Sequence, residues 1–310
     1  MGQHQMSVSV ASVGECMLEL SGRGRNWEMG FAGDTFNTLW AMRALLPEDA
    51  VTDYVSAFGD DPFSEEQRAF MGGHGIGIAE SPMIVGARPG LYAITLQDAE
   101  RSFTYWRNDA AARLLAIDPQ RLERSLSGRS LVYFSGITLA ILEPAARSVL
   151  FEALRRARKG DALIAFDPNY RPRLWASAEI ARAAIKEALD LTDIALPTYP
   201  DEQMLFGDVS PSEAAKRLAG HGVEEIVVKN GSEPAWAAWK LETNAIPAIN
   251  VTPVDTTGAG DSFNGAYLAA RLLGAAPFEA AAKAHRVAAA VVQVKGALAS
   301  FDILRAAFAS

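Results

Sequence analysis

The 310-residue chain contains one cysteine, Cys16, and only four histidines, His4, His74, His221 and His285. A lone thiol excludes an intrachain disulfide, and scattered imidazoles without an HExxH spacing offer no structural or catalytic zinc site. Basic residues are outnumbered 29 to 37, for a formal net charge of −8. No basic face is therefore presented to nucleic acid or to an anionic membrane. No apolar run approaches the roughly 20 residues a membrane helix requires. The amino-terminal MGQHQMSVSV lacks the basic and apolar regions of a secretory signal, and Met6 spoils a myristoylation pattern. Known phosphate-binding signatures are missing too. There is no GxxxxGK[ST], and Gly73-His74-Gly75-Ile76-Gly77 lacks the last glycine of a dinucleotide motif. These absences lead to the expectation of a cytoplasmic protein acting on small molecules.

What is present is ordinary globular material, 49% hydrophobic and 21% charged, enough for a large core. Short β-branched and aromatic runs fall at residues 7–14, 51–58, 131–136, 162–167, 193–197 and 224–229. Amphipathic helical patterns separate them, as at Glu143 to Lys159 and Ala178 to Leu191. Alternation of this kind predicts a Rossmann-like, doubly wound α/β fold, a mostly parallel sheet flanked by helices. Two segments break it. Met17 to Phe31 and Pro89 to Arg107 read as strand pairs without a helix, the second with a hairpin connection at Gln97-Asp98-Ala99-Glu100. They predict a small β-sheet lid over a site, or else an antiparallel extension of the main sheet. From Asp261 onward the alanine-rich pattern is helical to the end.

The most informative stretch is VDTTGAGDSFNGAYL, Val254 to Leu268. Gly258, Ala259 and Gly260 carry almost no side chain and open an apolar helix after a strand-like segment. Bare amides at a helix start, with the positive end of the helix dipole, suit an anion such as phosphate. Asp261 beside such a site is a conflict unless it faces a hydroxyl that attacks phosphorus. There it would accept the hydroxyl proton while the amides hold the phosphoryl charge. The dipole is expected to keep it ionised at neutral pH. The plain alternative is a helix-capping acid behind a tight turn.

DTTGAGDSFNGAYL resembles the C-terminal signature of the PfkB (ribokinase-type) carbohydrate kinases, and GFAGDTFNT resembles their N-terminal glycine-rich sugar-binding signature. The strings GECMLEL, GDDPFS, PGLYAIT, RSFTYWR, SGITLAI and DPNYRPRLW look most like the branch acting on 2-keto-3-deoxygluconate. The resemblance implies a ribokinase-like single domain over residues 1–310, with a lid formed by about 15–32 and 88–108. It implies ATP and Mg2+ or another divalent cation, with Asp261 as catalytic base and Gly258, Ala259 and Gly260 as the anion hole. The sugar side carries over to Gly33, Asp34, Asn37, Tyr92, Tyr105, Arg107, Asn169 and Arg171. The nucleotide side carries over to Thr198, Lys229, Gly231, Ser232, Gly258, Gly260 and His285. No metal ligand is assigned directly. A homo-oligomer is expected, with a small-molecule sugar acid and ATP as the binding partners.

The residues support this reading in their own right. A sugar acid's carboxylate suits guanidinium forks and phenolic donors. On a strand, Tyr105 and Arg107 alternate with Trp106 and so share a face, as a carboxylate clamp needs; a surface aromatic and charge pair is the alternative. Arg171 follows a strand end, where open α/β sheets place ligands. It suits substrate, ATP or both, or is a solvated loop charge with Arg173. Asp34 precedes the helical run TFNTLWAMRALL and is either its N-cap or, with Asn37 one turn later, part of a polyol site. Lys229 marks a turn near the nucleotide. His285 suits the base or ribose, or a helix surface. The rival functions are another PfkB kinase acting on fructose or a related neutral sugar, and a non-catalytic sugar or nucleotide sensor.

Overall fold

Apolar runs at Ser9–Val13 (β1), Leu131–Ser135 (β9) and Leu163–Asp167 (β10) are buried along nearly their whole length, as strands covered on both faces must be. Between β1 and β9 lie β2 (Met17–Arg23), β3 (Asn26–Ala32), β4 (Val51–Val55), β5 (Phe58–Gly59), β6 (Met83–Ile84), β7 (Leu91–Gln97) and β8 (Glu100–Trp106). After β10 come β11 (Ile194–Ala195), β12 (Glu225–Val228), β13 (Ala235–Trp239) and β14 (Glu242–Ile246). The computed structural model describes residues 7–97 and 100–310. The amino-terminal reading over Met1 to Met6 and the Asp98-Ala99 turn fall outside those residues.

The main sheet has eight strands in the order β14-β13-β12-β11-β10-β9-β1-β4, parallel from β12 through β4. The chain winds outward from β1 to β4, then returns to the other side of β1 to place β9. This reversal opens a crevice beyond the carboxyl ends of β1 and β9, the usual location of a ligand in such sheets. Helices cover both faces over separate apolar clusters. One includes Phe36, Leu39, Tyr133, Tyr267 and Val287, the other Val13, Phe134, Phe151, Phe166 and Ile185. All six expected core strands are present, and the fold is the ribokinase-like α/β architecture.

Three expectations need correction. The antiparallel extension of the main sheet is β13–β14, which closes on Lys240 at φ 54. The alanine-rich AWAAWK string gives little β signal. Residues 247–258, read as strand-like, contain no strand. Helix is also not continuous beyond Asp261: Ala259–Leu272 and Pro277–Val291 are followed by non-helical residues 292–300 before Phe301–Ala309.

The two anomalous segments form a separate four-stranded sheet, β3-β2-β7-β8. Registers Glu19↔Tyr92↔Tyr105 and Leu18↔Leu91↔Trp106 put the two sets on opposite faces. The face with Tyr92 and Tyr105 turns toward the crevice. The other bears Leu18, Leu20, Trp27 and Trp106 around an apolar hollow of about 1100 Å³.

Candidate active site

The crevice is a cleft of about 910 Å³, walled on one side by the small sheet. Gly33, Asp34, Asn37, Asn169, Arg171 and Asp261 line it from the main body, and Tyr92, Tyr105 and Arg107 from the small sheet and its root. All eight sugar-side candidates thus meet the proposed base in one cavity, although they are spread over more than two hundred residues of sequence.

Two helix starts form its floor. Asp34 opens the helix Asp34–Leu45, whose N-cap is Gly33, so Asp34 is not the cap. Its Oδ2 accepts instead from Asn169 Nδ2 at 2.7 Å. Asp261 lies in the first turn of Ala259–Leu272, whose N-cap Gly258 has φ 75. A Cβ at Gly258 would also come within 2.6 Å of the Ala297 carbonyl oxygen, so the motif needs glycine here on two counts. Asn37 Nδ2 donates to Asp261 Oδ2 at 2.8 Å and ties the two helices together. Their approach depends on Gly265, where a Cβ would stand 2.6 Å from Ala41 Cβ.

Arg107 is buried and ion-paired with buried Glu15. Arg171 is half exposed, and its Nη1 donates to Asp201 Oδ2 and to the Tyr170 carbonyl oxygen, both at 2.9 Å. It is a tethered charge, not a free loop arginine. Tyr92 donates its hydroxyl hydrogen to Glu19.

None of the seven nucleotide-side candidates is among the residues lining this cleft, although Gly258 and Gly260 lie between Thr257 and Asp261, which are. Thr198 and Lys229 are bridged through their backbones beyond β11 and β12. Gly231, at φ 61, and Ser232 lie in the exposed turn that follows. His285 is buried edge-to-face on Phe263, with ring centroids 5.0 Å apart, which removes the helix-surface reading.

Residues 7–304 match the pfkB family carbohydrate kinases. The chain belongs to that family. It is 40% identical over 306 residues to the 2-dehydro-3-deoxygluconokinase of Dickeya dadantii, covering 96% of this chain and 99% of the relative. It is 38% identical over 301 residues to the 2-dehydro-3-deoxygluconokinase of Escherichia coli strain K12, covering 94% and 97%. An E. coli protein provisionally named ribokinase II, solved in complex with ATP and Mg2+, shares the fold. Its TM-score is 0.84 at 23% identity, over 97% of this chain and 99% of that one. As a pfkB kinase, the protein is a phosphotransferase with an alcohol acceptor.

The electrostatics of the kinase correct one expectation. Burial and the nearby Asp34 raise the Asp261 carboxyl to about 7, against the hydrogen bond from Asn37 and the charge of Lys229. The helix dipole alone does not keep it fully ionised at neutral pH. Asp34 and, more weakly, Asp167 stand close enough to disfavour charge on Asp261. A carboxyl poised near the working pH is well matched to general-base chemistry.

Lys229 is the counter-charge, and the sequence reading undervalued it as a turn marker. Its buried Nζ donates to Asp167 Oδ2 and Asn264 Oδ1, both at 2.8 Å. Asn264 Nδ2 donates in turn to Asp167 Oδ2 at 2.7 Å and to Tyr133 at 3.1 Å. This network holds the ends of β10 and β12 against the Asp261 helix. A Cβ at Gly260 would lie 3.8 Å from Lys229 Nζ, so the ammonium stands close to the bare turn.

Glu15, Asp167, Asn264 and Asp201, the partner of Arg171, were not among the expected site residues. Asp167 had a signal, an acid ending an apolar strand in ALIAFD. Glu15 had none beyond its place in GECMLEL.

Proposed function

We propose that the kinase transfers the γ-phosphoryl group of ATP to the terminal hydroxyl of 2-keto-3-deoxygluconate (2-dehydro-3-deoxygluconate), giving the 6-phosphate and ADP. The observation that carries this reading is the cleft itself. Asp261, in the first turn after the bare Gly258–Gly260 segment, lines the same cavity as Arg107, Arg171, Tyr92 and Tyr105. The acid suits a reacting hydroxyl, and the guanidinium and phenol groups suit a carboxylate. The two curated relatives named above support the same substrate.

In this mechanism Asp34, Asn37 and Asn169 hold the polyol hydroxyls. Ionised Asp261 takes the proton of the terminal hydroxyl, whose oxygen attacks the γ-phosphorus in line. The bond from the γ-phosphorus to the β,γ-bridging oxygen breaks and ADP leaves. Gly258, Ala259 and Gly260 present amides to the transferring phosphoryl group, with the Lys229 ammonium behind them. The proton on Asp261 returns to solvent after product release. ATP enters as its Mg2+ complex, a co-substrate. The Mg2+ is expected to be carried chiefly by phosphate and water. Thr198, Gly231, Ser232 and His285 are assigned to the nucleotide side.

The four-stranded sheet acts as a lid on a single 1–310 domain, closing to exclude water as a competing acceptor. A homo-oligomer is part of the proposal, resting on the exposed apolar outer face with Trp27 and Trp106; sedimentation analysis decides it. Among the described residues no helix is long and apolar enough to cross a membrane, and a cytoplasmic setting supplies the ATP.

ADP release measured with MgATP across a panel of sugar acids and neutral sugars tests the assignment. Turnover of 2-keto-3-deoxygluconate well above fructose is expected. Preference for fructose would establish the neutral-sugar rival, and no ADP release with any sugar would favour the sensor.

A further inference from the structure

The small sheet joins the main body through four chain crossings: residues 14–16 between β1 and β2, Gly33 after β3, Gly90 before β7, and Arg107 after β8. Glu15 occupies the first crossing and touches the other three. A Cβ on Gly33 would collide with the Glu15 carbonyl oxygen. A Cβ on Gly90 would stand 2.6 Å from Glu15 Oε1 and 3.1 Å from Arg107 Cβ. Glu15 Oε2 accepts from Arg107 Nη2 in an ion pair whose side chains are 1% and 8% exposed. Gly33 therefore makes room for the backbone of Glu15, and Gly90 for its carboxylate and the paired arginine.

The pairing is incomplete in an informative way. Glu15 Oε1 and Arg107 Nε are buried with no hydrogen-bond partner among the described residues. Such groups are costly to leave unmatched and are rare in a purely structural pair. Full protein-side satisfaction of the guanidinium would leave nothing for a ligand; here the protein uses one nitrogen and holds the group at the cleft wall.

We propose that Glu15 is a positioning residue for sugar-acid recognition, a pin at the root of the small sheet that fixes the Arg107 guanidinium where the substrate carboxylate docks. The inference rests on the sugar-acid reading above. Glu15 does not touch the substrate. It acts through Arg107, and through Gly90 it links the placement of that arginine to the set of the sheet.

The test is steady-state kinetics of wild type, Glu15→Ala, Glu15→Asp and Glu15→Gln with 2-keto-3-deoxygluconate and MgATP, with folding checked by circular dichroism. Glu15→Ala should raise the KM for the acid about tenfold or more, the scale of one lost oriented hydrogen bond. Its kcat and KM for ATP should stay within about threefold, a split that general destabilisation would not produce. Glu15→Gln keeps an acceptor of the same length and should restore KM to within about threefold of wild type. Glu15→Asp draws the guanidinium back by about one bond length and should raise KM about fivefold; it decides the matter if Glu15→Ala does not fold. Unchanged acid KM in folded Glu15→Ala or Glu15→Asp would overturn the proposal, as would equal losses for both substrates. A wild-type enzyme that turns over only neutral sugars would instead sink the sugar-acid reading, and this inference with it.

Discussion

Replacing Asp261 with asparagine should cripple turnover and stabilise the protein at the same time. The substitution keeps the shape of a side chain that accepts from Asn37 at 2.8 Å, but removes its charge and its basicity. Losing a positioned general base costs about 10²–10⁴ in kcat. The stability effect follows from the carboxyl being raised from 3.8 to about 7 by burial and by Asp34. In the unfolded chain it ionises near its ordinary value; in the folded chain it holds its proton until about pH 7. Between those values the native state binds more protons, so wild-type stability falls as pH rises and the penalty is complete above pH 7. A shift of that size corresponds to about 4 kcal/mol in full. Asp261 is partly open to the cleft, and solvent screening brings the expected gain for Asp261→Asn at pH 8 to about 1–3 kcal/mol. The gain should vanish near pH 4. Urea melts at pH 8 and pH 4, beside the ADP-release assay, measure both effects. Near-normal turnover of the folded variant would refute the base assignment, and equal stability at pH 8 would refute buried acid repulsion.

The same carboxyl should give wild type an acid limb in kcat/KM, falling about tenfold per pH unit below about 7, because only the ionised form accepts the proton; Asn37→Ala removes a hydrogen bond that favours the charge and should move the limb upward. Gly258→Ala forces a side chain into φ 75 and to within 2.6 Å of the Ala297 carbonyl. It should lower kcat about 10²-fold, the scale of one lost oxyanion donor, with little change in KM for the acid. Lys229→Met strands Asp167 buried and unpaired, and should cost about 3–5 kcal/mol by denaturant melts. Arg107→Ala should reduce kcat/KM for the sugar acid about 10–100-fold, with far less effect on any neutral sugar the enzyme accepts. Equal losses on both would point to a role in folding alone.

Much of the fold was legible because buried parallel strands are written as continuous apolar runs, and β1, β9, β10 and β12 all show them. The small sheet was legible for the opposite reason, two strand pairs with no helix between them. β13 and β14 were not, since AWAAW sets its tryptophans three residues apart and ETNAI is mostly polar and exposed. The site divides in the same way. Gly258 and Asp261 announce themselves because phosphate cradles need bare backbone, a constraint that acts locally in sequence. Arg107 was legible as a charge beside a tyrosine, but its partner was not.

The sequence by itself determined the alternating α/β architecture, the bare glycine turn before Asp261 and the residues proposed to meet a sugar acid. Local rules suffice for these, namely period, capping and backbone freedom. Only the tertiary structure decided the rest. It set Asp261 against Asn37 through the close helix approach at Gly265, raised its carboxyl by burying it and then by bringing Asp34 and Asp167 near it, and put Lys229 at the centre of a buried network. It also joined Glu15 to Arg107 across ninety-two residues of chain. Proton affinity and charge pairing depend on distance in space and on exclusion of water, and neither is written in residue order.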